Sequence, residues 1–197
     1  MAGNSSRGRA AWPWPAASAS PHSGAACWTP GTSACRQIIH DPTVHRLEDG
    51  RYVACSTGGI IGARLSMNLR DCTDAGNAFT APPSWWYDYK STADPWAPGL
   101  TYCDGRYWLY CAVSSWGTNH SAIGVATSPT GLPGTWTDRG KAFGSAKTDT
   151  WNALDPAVIR ADGRLWMAFG SYDADDNGTP KLGLNQLSWR TGWPVVK

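Results

Sequence analysis

Glutamate is almost missing from this sequence: Glu48 is the single one in 197 residues. Charge of either sign is sparse, at 16% of residues with a formal net charge of +2. That balance offers no electrostatic footprint for nucleic acid or for an anionic membrane surface. No apolar run approaches the roughly 20 residues that a bilayer-spanning helix needs. The six cysteines, at positions 27, 35, 55, 72, 103 and 111, form neither CxxC pairs nor Cys/His clusters with zinc spacing. Motifs for phosphate binding and hydride transfer are also lacking. Residues 1–26 have no uninterrupted apolar core of the about 7–15 residues seen in a signal peptide, because Pro13, Pro15 and Pro21 break it. This segment reads as a disordered leader or a wrongly assigned start, and 27–197 as the folded part.

Tryptophan is what the chain has in excess, 13 of them, beside 22 Gly and 14 Pro. A Trp-rich, turn-rich and helix-poor chain fits an all-β protein. For any single Trp two roles stand open: packing between sheets, or stacking on a sugar ring. The stretch HDPTVHRLEDGRYVACSTGG, from His40, reads as a hairpin: Asp-Pro, a β-prone run, an Asp-Gly turn, then an aromatic and β-branched run. WAPGLTYCDGRYWLYCAVSS from Trp96 and LDPAVIRADGRLWMAFGSYD from Leu154 repeat it. The turn glycines Gly50, Gly105 and Gly163 fall 55 and 58 residues apart. After the first two hairpins comes a third strand-like run and a closing segment with the shared pattern TDxGxAF. Four strands per unit at this period is the signature of a β-propeller blade. About three blades are present, whereas closed propellers typically use about four to eight. The expectation is therefore a piece of a longer protein, or a chain that assembles with something else.

Smaller features attach to this frame. Cys27 and Cys35 flank a Pro-Gly turn and can close a small disulfide loop, while Cys55 and Cys111 sit in hydrophobic strand patterns as buried thiols. Sequons at Asn4, Asn119 and Asn177 are compatible with a secretory route. The insertion TAPPSWWYDYKSTADP carries Trp85, Trp86, Tyr87 and Tyr89. Its aromatics either stack on sugar rings at the mouth of the propeller or fold onto the neighbouring blade.

Aligning the prolines Pro42, Pro98 and Pro156 produces one column holding Asp41, Ala97 and Asp155. In a propeller the start of each innermost strand lies near the axis, so this column converges on a shared pocket. Two carboxylates across a pocket are what glycoside hydrolysis requires. The alternative is that Asp-Pro caps backbone N–H groups at turns.

HDPTV, WAP at 96–98, YWLYCAVSSWGTNHSAIGVATS at 107–128, NALDPAVI at 152–159 and MAFGSY at 167–172 together resemble glycoside hydrolase family 43, most of all its endo-α-1,5-L-arabinanases. The resemblance implies a five-bladed β-propeller, acting outside the cell as a monomer when full-length. Its implied substrate is plant cell-wall arabinan, cleaved at α-1,5-L-arabinofuranosyl linkages with inversion. By the same resemblance Asp41 is the general base, and Asp155 tunes the acid's pKa and orients substrate. Trp96, Trp116, Asn152 and Ser171 fall in segments lining the substrate cleft. The family's general acid is a glutamate of the fourth blade, which has no counterpart here. Glu48 lies in the LEDGRY turn, at the wrong end of its strand. No cofactor is required; a structural calcium is implied for the full-length family, with its ligand region outside this chain. Gly99 stands where the family's WAPD motif has a carboxylate, and Asp173 where an aromatic is expected. These departures imply a fragment that is inactive or impaired. A non-catalytic arabinan- or xylan-binding or degenerate protein, and a β-xylosidase or arabinofuranosidase relative, are the alternatives.

Overall fold

The Asp-Gly turns set the frame. In the computed structural model, which describes residues 39–196, Asp104–Gly105 (φ 53° and 71°) and Asp162–Gly163 (φ 50° and 71°) are left-handed at both positions. Two successive positive φ values make the hairpin turn whose twist matches that of the flanking strands. Thr191–Gly192 repeats the conformation (φ 50° and 77°). The turn at Gly50 is wider, closed by the Gly50 N–H donating to the Leu47 carbonyl at 3.0 Å.

These turns organise twelve strands among the described residues. The first sheet holds β1 (His40–Arg46), β2 (Tyr52–Thr57), β3 (Gly62–Ser66) and β4 (Cys72–Asn77). The second holds β5 (Trp96–Cys103), β6 (Arg106–Ser114), β7 (Ser121–Ser128) and β8 (Thr137–Ser145). The third holds β9 (Leu154–Ala161), β10 (Arg164–Asp173), β11 (Thr179–Arg190) and β12 (Trp193–Val196). Each sheet is an antiparallel meander with its strands in chain order. They are three blades of a β-propeller, and the innermost strands β1, β5 and β9 pack in succession. The recurring TDxGxAF pattern lies on the outer strands, as expected. There Asp74 and Asp138 accept hydrogen bonds from the N–H groups of Gly76 (2.8 Å) and Gly140 (3.1 Å), and both glycines have positive φ.

Two cores lie between the blades. Side chains alternate across a strand, and β6 uses both faces: Tyr107, Leu109, Cys111 and Val113 enter the core shared with the first blade, and Trp108, Tyr110 and Ala112 the core shared with the third. The insertion before β5 forms a short 3-10 helix, Ser84–Asp88, which drops Trp86 into the first of these cores. Cys55, Cys103 and Cys111 are free, buried thiols, and burial pushes Cys55 and Cys111 up to about 12. Cys72 is disulfide-bonded. The Cys27–Cys35 loop and the leader over 1–26 lie outside the described residues.

The far face of the third blade carries no sheet among the described residues. Ile159, Leu182 and Leu184 lie on that face and are 47%, 74% and 51% exposed. The fourth strand is short there: β12 pairs with β11 over Leu187–Arg190, so among the described residues 179–186 carries a ladder to β10 alone.

Candidate active site

The Asp-Pro column is built by one local device used three times. Proline has no N–H to give to a ladder, so within a sheet it is confined to edges, strand starts and bulges. Here each X-Pro pair faces one residue of the next strand: Asp41–Pro42 faces Ser56, Ala97–Pro98 faces Cys111, and Asp155–Pro156 faces Phe169. The extra residue makes a β-bulge, a feature that re-aims a side chain. The residue before proline becomes left-handed each time, with φ of 49° at Asp41, 45° at Ala97 and 52° at Asp155. Such a backbone costs an ordinary L-residue about 1–2 kcal/mol. Aspartate tolerates it through its short polar side chain, but Ala97 gains no such relief. Its presence there marks the bend as a property of the scaffold, on which the two carboxylates are mounted.

Asp41 and Asp155 both line a cavity of about 850 Å³, with His40, Thr57, Trp96, Trp116, Asn152 and Tyr172 among its other walls. Two donors meet Asp41 on one oxygen. The Thr57 hydroxyl reaches Oδ2 at 2.9 Å and His40 Nδ1 reaches it at 2.8 Å. The same Thr57 oxygen accepts the Ala97 N–H at 2.8 Å, so the column positions of the first two blades are tied through one side chain. Asp155, on the third blade, lines the cavity while remaining exposed to solvent. Partial desolvation raises its pKa, the negative charge of Asp41 adds to the rise, and His40 opposes it. Gly99 explains how closely the second and third blades approach, since a Cβ there would lie 2.1 Å from the Pro156 carbonyl oxygen. The carboxylate of a WAPD motif has no room at this position.

Residues 34–194 match the profile of glycosyl hydrolases family 43. The chain belongs to that family. It is 37% identical over 148 residues to an extracellular endo-α-(1→5)-L-arabinanase of Bacillus subtilis, covering 71% of this chain and 45% of that protein. Identity to arabinan endo-1,5-α-L-arabinosidase A of Aspergillus niger is 38% over 146 residues, covering 73% of this chain and 45% of the relative. The chain thus spans about half the length of the curated relatives it matches. A solved Bacillus subtilis arabinanase superposes with a TM-score of 0.62 at 31% identity, over 79% of this chain and 58% of that one.

Within this family 43 frame the expected site residues divide. The cavity brings together Asp41, Asp155, Trp96, Trp116 and Asn152. Trp116, on the connection from β6 to β7, is 92% exposed. Asn152 is buried, and its Oδ1 accepts the Tyr172 N–H at 2.7 Å. Ser171 stands behind it, outside the cavity wall, accepting the Asn152 N–H at 3.1 Å. Trp85 and Trp86 are outside the cavity lining, and of the two roles open to the insertion's aromatics their contacts fit packing on the neighbouring blade. Trp86 is 1% exposed in the core, and Trp85 packs over Gly124 and donates its indole N–H to Asp138 at 3.2 Å. The insertion therefore folds its tryptophans onto the second blade. Glu48 sits at the far end of β1, where its N–H donates to the Tyr107 hydroxyl at 2.8 Å and its carboxylate accepts from the Tyr102 hydroxyl at 2.5 Å. Among the described residues no group of three His, Cys, Asp or Glu is placed to hold a metal ion.

Thr57, His40 and Tyr172 were not singled out by the sequence. Regular register from the turn would pair Thr57 with Asp41, and the bulge moves it opposite His40.

Proposed function

We propose that this chain carries the water-activating side of an inverting arabinan hydrolase, with Asp41 as general base and Asp155 as the neighbour that tunes the acid and orients the sugar. The observation that supports this most is the pair of carboxylates mounted on matching bulges in one cavity, with the pKa of Asp155 raised by partial desolvation and by the charge of Asp41. In an inverting hydrolase one carboxylate takes a proton from water while an acid protonates the leaving oxygen, across a gap of about 6.5–9.5 Å. Asp41 suits the first task. Its Oδ2 is held by Thr57 and His40, and Oδ1 takes the proton from water. Asp155 suits support of the second without performing it, because a carboxylate beside an acid disfavours double ionisation and keeps the acid protonated. Trp96 and Trp116 supply aromatic surface for the apolar face of a furanose ring. The relatives' names specify arabinan and 1,5 linkages, which makes linear arabinan the substrate to test. A polymer of this kind is met outside the cell, and the Cys72 disulfide suits an oxidising compartment.

The acid step is not provided by these residues. The one glutamate is committed to Tyr102 at the other end of its strand. General acid–base catalysis typically contributes about 10²–10⁴-fold, a loss that takes release by this chain below what a reducing-sugar assay detects. The test is calorimetric binding of debranched linear arabinan together with reducing-sugar release, on the chain and on Asp41→Asn. Binding by both with release from neither is expected. Release that disappears in Asp41→Asn would place an acid among these residues and overturn this division of labour. A cooperatively folded chain that does not bind would remove arabinan as the ligand.

A further inference from the structure

We infer that Lys90 is a positioning residue for the candidate site, holding the indole of Trp96 so that one face is offered to the sugar. The inference rests on the arabinan reading above for what the ring touches, but not for how the ring is held. Lys90 is 7% exposed, an uncommon setting for an ammonium group. Its Nζ donates to the Asp94 carbonyl at 2.8 Å and pairs with Asp94 Oδ1 at 3.0 Å. The same Nζ stands over the Trp96 ring, 4.2 Å from its centroid. The backbone beneath the ring is fixed as well, since Trp96 pairs with Ala112 and the next N–H is capped by Thr57. The Trp96 side chain also packs against the core shared with the third blade, and the ammonium occupies one face of the ring. Trp96 lines the cavity as well, so the part of the ring left uncovered by that core and by Lys90 is what is available there.

The chemistry suits this use. A desolvated cation over Trp is the strong form of the cation–π contact. The Asp94 carboxylate and carbonyl give the buried ammonium its hydrogen-bond partners. Ordering an interface side chain on binding typically costs about 0.5–1.5 kcal/mol, and a ring ordered beforehand avoids that cost. Removing the clamp is therefore expected to weaken sugar binding by about two- to tenfold. A lysine that merely braces the loop would leave the affinity of the folded protein unchanged.

The experiment compares wild type, Lys90→Met and Lys90→Arg by calorimetry with arabinohexaose. It adds the indole N–H resonance of Trp96, assigned by loss in Trp96→Phe, in ligand-free protein. Lys90→Met keeps the stem and leaves Asp94 its hydroxyl partner Thr92. The expected result is a displaced or broadened Trp96 resonance and a two- to tenfold higher Kd in Lys90→Met. Lys90→Arg, which keeps a cation on the ring, restores both. A Lys90→Met protein with the wild-type Trp96 resonance and wild-type Kd would overturn the inference. If wild type binds no arabinohexaose, the arabinan reading fails separately, and an unchanged Trp96 resonance in Lys90→Met still overturns the clamp.

Discussion

The second and third blades are drawn from the same repeat and end in opposite states. In the second blade β6 is buried from Tyr107 to Ser114 and β7 from end to end. In the third, β9 shows Ile159 to solvent, and β11 shows Leu182 and Leu184. The sequences do not differ in kind, since both units carry apolar side chains on both faces. The second blade has a sheet against each face and the third, among the described residues, against one. An apolar strand position thus becomes core or surface according to its neighbours. The column shows the same contrast in its chemistry. At one left-handed backbone position the second blade holds an alanine and the third an aspartate.

Three substitutions would break or sharpen this contrast. The largest effect is expected from Ile123→Ala, at a fully buried position of the second blade. Loss of its side chain leaves a cavity between two sheets, and urea unfolding should show a loss of about 2–5 kcal/mol. A loss under 1 kcal/mol would mean that the second blade is not the packed centre.

A smaller effect is expected from Asp155→Asn. The folded-state pKa of Asp155 is raised above its ordinary value of 3.8. A raised acid contributes its stability below the unfolded pKa, and that contribution is lost as pH rises through the folded pKa. Above that range ionised Asp155 is a burden, which asparagine removes. Because solvent reaches the group, screening keeps the gain to about 1–2 °C in Tm at neutral pH, with none below about pH 3. A gain of equal size at both pH values would show that charge is not the cause.

The smallest effect is expected from Leu182→Lys. An exposed position away from special features usually changes stability by about 0.5 kcal/mol or less. A cost comparable to that of Ile123→Ala would show that the far face of the third blade is covered in solution.

Much of this architecture was legible because it is local. An Asp-Gly turn, a two-residue alternation and a repeated TDxGxAF each act within a few residues, and each recurs where the blades recur. The Asp41–Asp155 column was legible for the same reason, through Pro42 and Pro156. Trp85 and Trp86 were not, since an indole that stacks on sugar and one that fills a core look alike in sequence. Their fate was decided by Phe79, which packs edge-on against Trp86, and by Asp138, 53 residues away from Trp85. Thr57 was overlooked because a threonine at a strand end carries no signal of its own; its importance comes from Ala97, contributed by another blade. The Gly99 departure reads in sequence as a lost carboxylate, and the structure shows the carbonyl of Pro156 occupying the space.

The half-paired length of β11 has a practical side. Among the described residues, 179–186 pairs with β10 and with no second strand, and this edge row is flanked by Leu182 and Leu184. A row of this kind is a template on which another extended segment can register, and a row of its own sort is the most abundant one in a concentrated preparation. Precipitation by strand addition then needs no unfolding of any blade. Pro180, which has no N–H to offer, works against it, whereas the charge of Lys181 is already paired with Asp173 and Asp176. How concentrated the protein can be made therefore depends on an eight-residue edge as much as on the strength of its cores.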